Sequence, residues 1–289
     1  MLKNIIVLSL ILTGLNSFAC DEQGKTGFLP ENDLYISVSN KNANDMTEER
    51  FNEIIDKVDK QYAPIVEARG KKLKFNRKWN DGTVNASAQR SIFFGNYIVN
   101  MYGGLARHEL VTDDGFALVV CHEMGHHLGG APKVGGMMSW AANEGQSDWW
   151  GAAKCFRRTF ESEDNEAIVA KMNVPATIQT KCEKNFTLAN DVALCVRSSM
   201  AGISLAKLLG SLRNNTDISI DTPDTNVVSS TNSKHPAAQC RLDTYFQGSI
   251  CEIAYQDDVD EKDPLIGTCN REAGHVDGLR PLCWYAPGK

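Results

Sequence analysis

The ten residues CHEMGHHLGG, Cys121 to Gly130, place His122 and His126 four positions apart with Glu123 directly after the first. On an α-helix, residues four apart share a face, so two imidazoles converge on one point while Glu123, turned by about 100° from His122, borders it. That spacing suits a divalent cation with a carboxylate base beside it. Catalytic zinc takes three protein ligands and keeps a fourth place for water, whose pKa falls to about 7. The third ligand is expected downstream in NEGQSDWWG, where Glu144 can reach the ion. Asp148, one turn later on the same face, can accept the remaining N–H of a ligating histidine and hold its tautomer. A buried helix that merely carries histidines is the plainer reading of the five-residue motif alone. The apolar run ahead of it and the Glu-x-x-x-Asp helix behind it favour the metal. His108 and His127 read as surface or packing histidines, Cys121 as a buried or disulfide cysteine, and Trp149 and Trp150 as core and cleft wall.

Helices must hold these groups. In DMTEERFNEIIDKVDKQY, Asp45 is placed to cap, with Glu48 three residues on, and Phe51, Ile54, Ile55 and Val58 share one face of a helix whose extension Gly70 ends. Residues 71–102 turn to β-branched and aromatic types broken by Asn80-Asp81-Gly82 and Gly95, which predicts a small antiparallel sheet. Thr112 or Asp113 caps the helix whose body FALVVC leads into the histidines and which stops at Gly129. After the loop PKVGGMM, a third helix is expected from about Ser139 to Phe160, and a fourth from Ala189 to Leu209. Residues 212–234 are polar and turn-rich and read as a long loop. The fold class is α+β.

The chain has 289 residues, 42% of them hydrophobic, enough for one domain with an ordinary core. It opens with MLKNIIVLSLILTGLNSFAC, one lysine, an apolar run and small residues at Ser17 and Ala19: a secretory signal over residues 1–19, with residues 20–289 forming a single domain that ends in a cysteine-rich part. Acylation of Cys20 is the alternative processing route and the one expected link to a membrane, so the protein is read as exported, periplasmic or secreted. The net charge of −6 provides no basic footprint for nucleic acid. Nine cysteines in an exported chain argue for disulfides, and if Cys20 is acylated the other eight could all pair. Cys240 and Cys251 would lie about 16 Å apart along a helix, too far to bridge, so each needs a partner elsewhere such as Cys269 or Cys283.

HEMGH followed by NEGQSD resembles the gluzincins, in which HExxH and a glutamate on the next helix bind zinc. Two further matches resemble the HtpX-like and CAAX-prenyl-protease family and its soluble minigluzincins. VNASA at 84–88 ahead of GGL at 103–105 is similar to that family's edge strand and following turn, and HPAAQCRL, His235 to Leu242, matches its H-P-x-x-x-x-R-[IL] element. The absence of predicted membrane helices, a very short insert between the zinc motifs and the tail RPLCWYAPGK depart from that pattern.

The resemblance implies a zincin-like metallopeptidase domain in which an edge strand packs on the active-site helix. It implies zinc held by His122, His126 and Glu144, Glu123 as general base and proton carrier, and Asp148 and Arg241 supporting the ligands. His235 would donate to the oxyanion or take the fourth metal position; its plainer reading is a His-Pro helix start, with Arg241 in a structural ion pair. Polypeptide substrate would lie antiparallel along Asn85, Ala86, Ser87 and Ala88, giving an endopeptidase of loose specificity. Two other functions compete: a catalytically silent, zinc-stabilised binding or chaperone-like envelope protein, in which Glu123 would have no role, and a lipid-anchored scaffold that turns on Cys20.

Overall fold

The computed structural model describes residues 17–18, 27–91 and 93–288. The predicted signal over residues 1–19 and the acylation of Cys20 fall outside these residues, apart from the backbone of β1 (Ser17–Phe18). Helix α1 (Glu48–Ala68) forms where the apolar period places it, burying Phe51, Ile54, Ile55, Val58, Tyr62 and Val66. Its cap is Thr47, whose side chain accepts from the Arg50 amide, and not Asp45. A threonine directly ahead of the first helical residue has the shorter reach to the orphan amides of the first turn.

The chain then makes β2 (Leu73–Lys78), β3 (Ala86–Arg90) and β4 (Tyr97–Tyr102). The expected all-antiparallel sheet is corrected to a mixed one, because β3 and β4 pair antiparallel while β2 runs parallel to β4. The reason is topological: β3 runs back between β2 and β4 in sequence but pairs on the far side of β4, so β2 and β4 point the same way. β1 lies antiparallel against the end of β3, Ser17 opposite Arg90. A short helix α2 (Gly103–Ala106) leads to α3 (Asp113–Leu128), capped by Thr112 as expected.

Helix α3 is buried on every side from Gly115 to Leu128, so its apolar residues form no stripe and it runs through the centre of the core. Around it pack β3, α1, α4 (Glu144–Trp150) and α8 (Ala189–Ser211). The third helix begins at Glu144 instead of Ser139; Gly136–Met138 is a separate turn of 3-10 helix, and the Asn143 side chain caps α4 by accepting from the Gln146 amide. A π-helical segment, Gly151–Phe156, continues α4 into α5 (Arg157–Phe160). Helices α6 (Asn165–Val169), α7 (Ala176–Asn185) and α9 (Ala238–Ser249) complete the second half. Helix α8 is long and apolar enough to cross a membrane, but 78% of that stretch is buried within the protein, as befits a core helix.

Four disulfides, Cys121–Cys155, Cys182–Cys195, Cys240–Cys283 and Cys251–Cys269, pair all eight cysteines of the described residues. They fit an oxidising, exported environment. Cys240 and Cys251 do take Cys283 and Cys269, which ties both ends of α9 to the C-terminal tail. Cys121–Cys155 staples the histidine-bearing part of α3 to the π-helical segment.

Candidate metal centre

Helices α3 and α4 approach closely at Gly125, where a β-carbon would sit 2.9 Å from the Ser147 Cα. This contact brings the first turn of α4 opposite the histidine face of α3. His122 Nε2 lies 3.4 Å from one Glu144 carboxylate oxygen and His126 Nε2 lies 3.6 Å from the other. The three donor atoms are within 4.8 Å of one another, a group able to hold a metal ion.

Each imidazole is aimed by its other nitrogen. His122 Nδ1 is 2.8 Å from Asp148 Oδ1, and His126 Nδ1 is 2.8 Å from the Ala142 carbonyl. Both acceptors require a proton on Nδ1, which leaves the Nε2 lone pairs pointing to the centre. Asp148 is in turn gripped by Arg241, with Nε and Nη2 each 2.7 Å from a carboxylate oxygen, while Arg241 Nη1 donates to the Phe28 carbonyl at 2.9 Å. Arg241 itself is fully buried on α9.

Six atoms at the middle are buried with no hydrogen-bond partner among the described residues: Nε2 of His122, Nε2 of His126, and both carboxylate oxygens of Glu123 and of Glu144. A native interior leaves such atoms unpaired only for a reason, since each costs about 1–3 kcal/mol. Two imidazoles and a carboxylate form a donor set for a divalent cation, and three carboxylates against the one guanidinium of Arg241 leave room for its charge.

The electrostatics match. Burial disfavours a charged His122, but the Asp148 carboxylate and its hydrogen bond, with Glu144, outweigh this and lift its pKa to about 9. The proton that Nε2 would then carry occupies the place where a cation would sit. Burial lowers His126 to about 4, so it stays a neutral imidazole. Burial also pushes Glu123 up to about 8, its attraction to His122 partly offsetting the rise. For Glu144, burial is overcome by His235, His126 and His122, which hold the carboxyl well below its usual range.

His235 Nε2 is 2.9 Å from the Gly27 carbonyl oxygen and 3.4 Å from Glu144. His235 is not one of the three mutually close donors. Asn85 and Ala86 lie beside residues 27–29: Phe28 N donates to the Ala86 carbonyl at 2.8 Å and Leu29 N to Asn85 Oδ1 at 2.9 Å. Ser87 accepts from the Asn100 amide group within the sheet, and Ala88 packs with Met138 and Ala141. His127 is a packing residue, stacked between Tyr97 and Trp140 with ring centroids 4.5 and 5.1 Å away. Trp149 is core, with its indole N–H on the Gly278 carbonyl.

Gly27, Phe28 and Leu29 belong to none of the motifs read from the sequence. The signal was present: GFLP is an apolar island between charged stretches. Phe28 is fully buried and its ring meets that of His122 edge-on, with centroids 5.2 Å apart. No protein-family profile, curated protein or solved structure matches this chain.

Proposed function

We propose that the chain is an exported zinc endopeptidase of gluzincin type, with a zincin-like catalytic domain and polypeptide substrates. The observation that carries this reading is the convergence of His122, His126 and Glu144 beside a Glu123 carboxylate that has no other hydrogen-bond partner among the described residues. Zinc suits a donor set of two imidazoles and one carboxylate, and when bound it supplies a Lewis acid that polarises a carbonyl and acidifies water. Glu123 is the general base: burial raises its carboxyl to about 8, so the ionised form, which a cation beside it would favour, is a strong base that takes a proton from water and returns it to the leaving amine. His235 donates Nε2–H to a backbone carbonyl next to Glu144, the same contact an oxyanion donor makes. Asp148 and Arg241 hold the His122 ring in place.

A catalytically silent, zinc-stabilised protein is the competing reading. Structural zinc sites close with four protein ligands and give no task to a buried acid beside them. Here the mutually close donors number three, and Glu123 remains uncommitted. Glu123→Gln keeps size and removes the base. The expected result is unchanged zinc content with cleavage of an unfolded protein reduced by about 10²–10⁴-fold; equal turnover by the two proteins would refute the assignment.

A further inference from the structure

The candidate site is closed by the protein's own chain. Residues 28–36 run antiparallel to residues 82–86: the Phe28 amide donates to the Ala86 carbonyl, the Val84 amide to the Leu34 carbonyl, and the Ile36 amide to the Gly82 carbonyl. This is the antiparallel direction expected for a bound peptide, and it overlaps the expected stretch at Asn85 and Ala86. The Asn85 side chain grips Leu29 twice, accepting from its N at 2.9 Å and donating to its O at 3.2 Å. Two groups of the site bind the same segment: His235 donates to the Gly27 carbonyl and Arg241 to the Phe28 carbonyl, both at 2.9 Å. The Phe28 ring is wedged between the His122 ring and the Arg241 guanidinium, 4.6 Å from the latter. Under this cover His122, Glu123 and His126 have no exposed surface and Glu144 has 1%.

We propose that Gly27–Pro30 is a built-in plug, seated where substrate would lie, and that the centre opens only when this segment leaves residues 85–86. The inference rests on the peptidase reading for what the site would then admit. Gly27 makes the seating possible. A β-carbon there would fall 2.0 Å from the Ala86 carbonyl oxygen and 2.5 Å from Asn85 Oδ1, so only glycine lets the chain lie this close. A cavity of about 240 Å³, lined in part by Pro30, His235 and Pro236, adjoins the plug.

The test uses zinc-loaded full chain and 1,10-phenanthroline, reading the rate at which the chelator captures zinc. Phe28→Ala removes the wedge, and Gly27→Val unseats the backbone without cutting into the core. In both, capture should quicken at least about tenfold: Phe28→Ala forfeits the burial of an aromatic ring, and Gly27→Val displaces backbone hydrogen bonds each worth a factor of about 2–10. Far-UV circular dichroism and melting temperature certify the fold; should Phe28→Ala unfold, Gly27→Val decides. Capture at the wild-type rate in a folded Gly27→Val overturns the plug. Casein hydrolysis, followed in parallel, separates the two ideas. Faster capture with rising hydrolysis supports both, whereas faster capture with no hydrolysis keeps the plug and removes the peptidase. A wild-type chain that retains no zinc removes the metal and the plug together.

Discussion

Two polar clusters lie along α3 and differ in how completely their groups are paired. At its first turn, Asp114 takes Arg197 of α8 with both oxygens, at 2.7 and 3.1 Å, while Arg197 Nη1 reaches Glu163 and Asn165. Every nitrogen of that guanidinium has an acceptor. Two turns further on, His122, Glu123 and His126, with Glu144, leave six buried atoms unmatched. The first is partly open to solvent and complete; the second is fully enclosed and unfinished. A completed network cross-braces helices; an incomplete one stores the capacity to bind.

The contrast can be broken from either side. Removing a ligand has the largest expected effect: Glu144→Ala should weaken zinc binding by more than the about 10–100-fold that loss of an outer partner costs. Stability should fall too, because His122 and His235 each lose an ion contact of 3.4 Å; zinc titration and thermal melting read the two separately. Arg197→Met should act on stability alone. Asp114 loses its partner while Glu163 keeps Lys57 at 2.6 Å, and the Asp114 and Glu163 side chains are 12% and 22% exposed, so the cost falls at the lower end of the buried-pair range, about 3 kcal/mol. Denaturant unfolding measures it, and the folded fraction should take up zinc normally. Asp148→Asn joins both behaviours, since Asp148 serves His122 and Arg241 together. Zinc affinity should fall about 10–100-fold, with some loss of stability.

The smallest signal is protonic. In the zinc-free chain His122, near 9, and Glu123, near 8, are protonated at pH 7, while His126, near 4, is not. A dication displaces protons from groups whose pKa exceeds the pH, so zinc binding at pH 7 should release on the order of one to two protons. Release falls towards zero above pH 9, and apparent affinity rises between pH 7 and 9. Calorimetry in buffers of different ionisation enthalpy reads it, and no such release is expected if the centre takes up no cation.

Local pattern carried much of the site. His122, Glu123 and His126 are related by the period of one helix, and Glu144 and Asp148 by the period of another, so their relative faces follow from bond geometry within a few residues. Thr112 and Gly129 bound α3 through terminal amides and carbonyls, again a local matter. The start of α4 at Glu144 was misread because Asn143 competes as a cap with Ser139, and the choice depends on the turn that Gly136–Met138 makes first.

What the amino-acid order determined unaided was therefore which residues share a helical face, where those helices start and stop within a residue or a few, and that nine cysteines imply disulfides. The folded chain alone decided the parallel pairing of β2 with β4, which cysteines meet, and the seating of Gly27–Leu29 beside Asn85 and Ala86, some fifty-odd residues away. The physical reason is range. Helix periodicity and capping act over one turn, whereas strand order, disulfide partners and a segment folded across a cleft depend on which distant surfaces can bury one another.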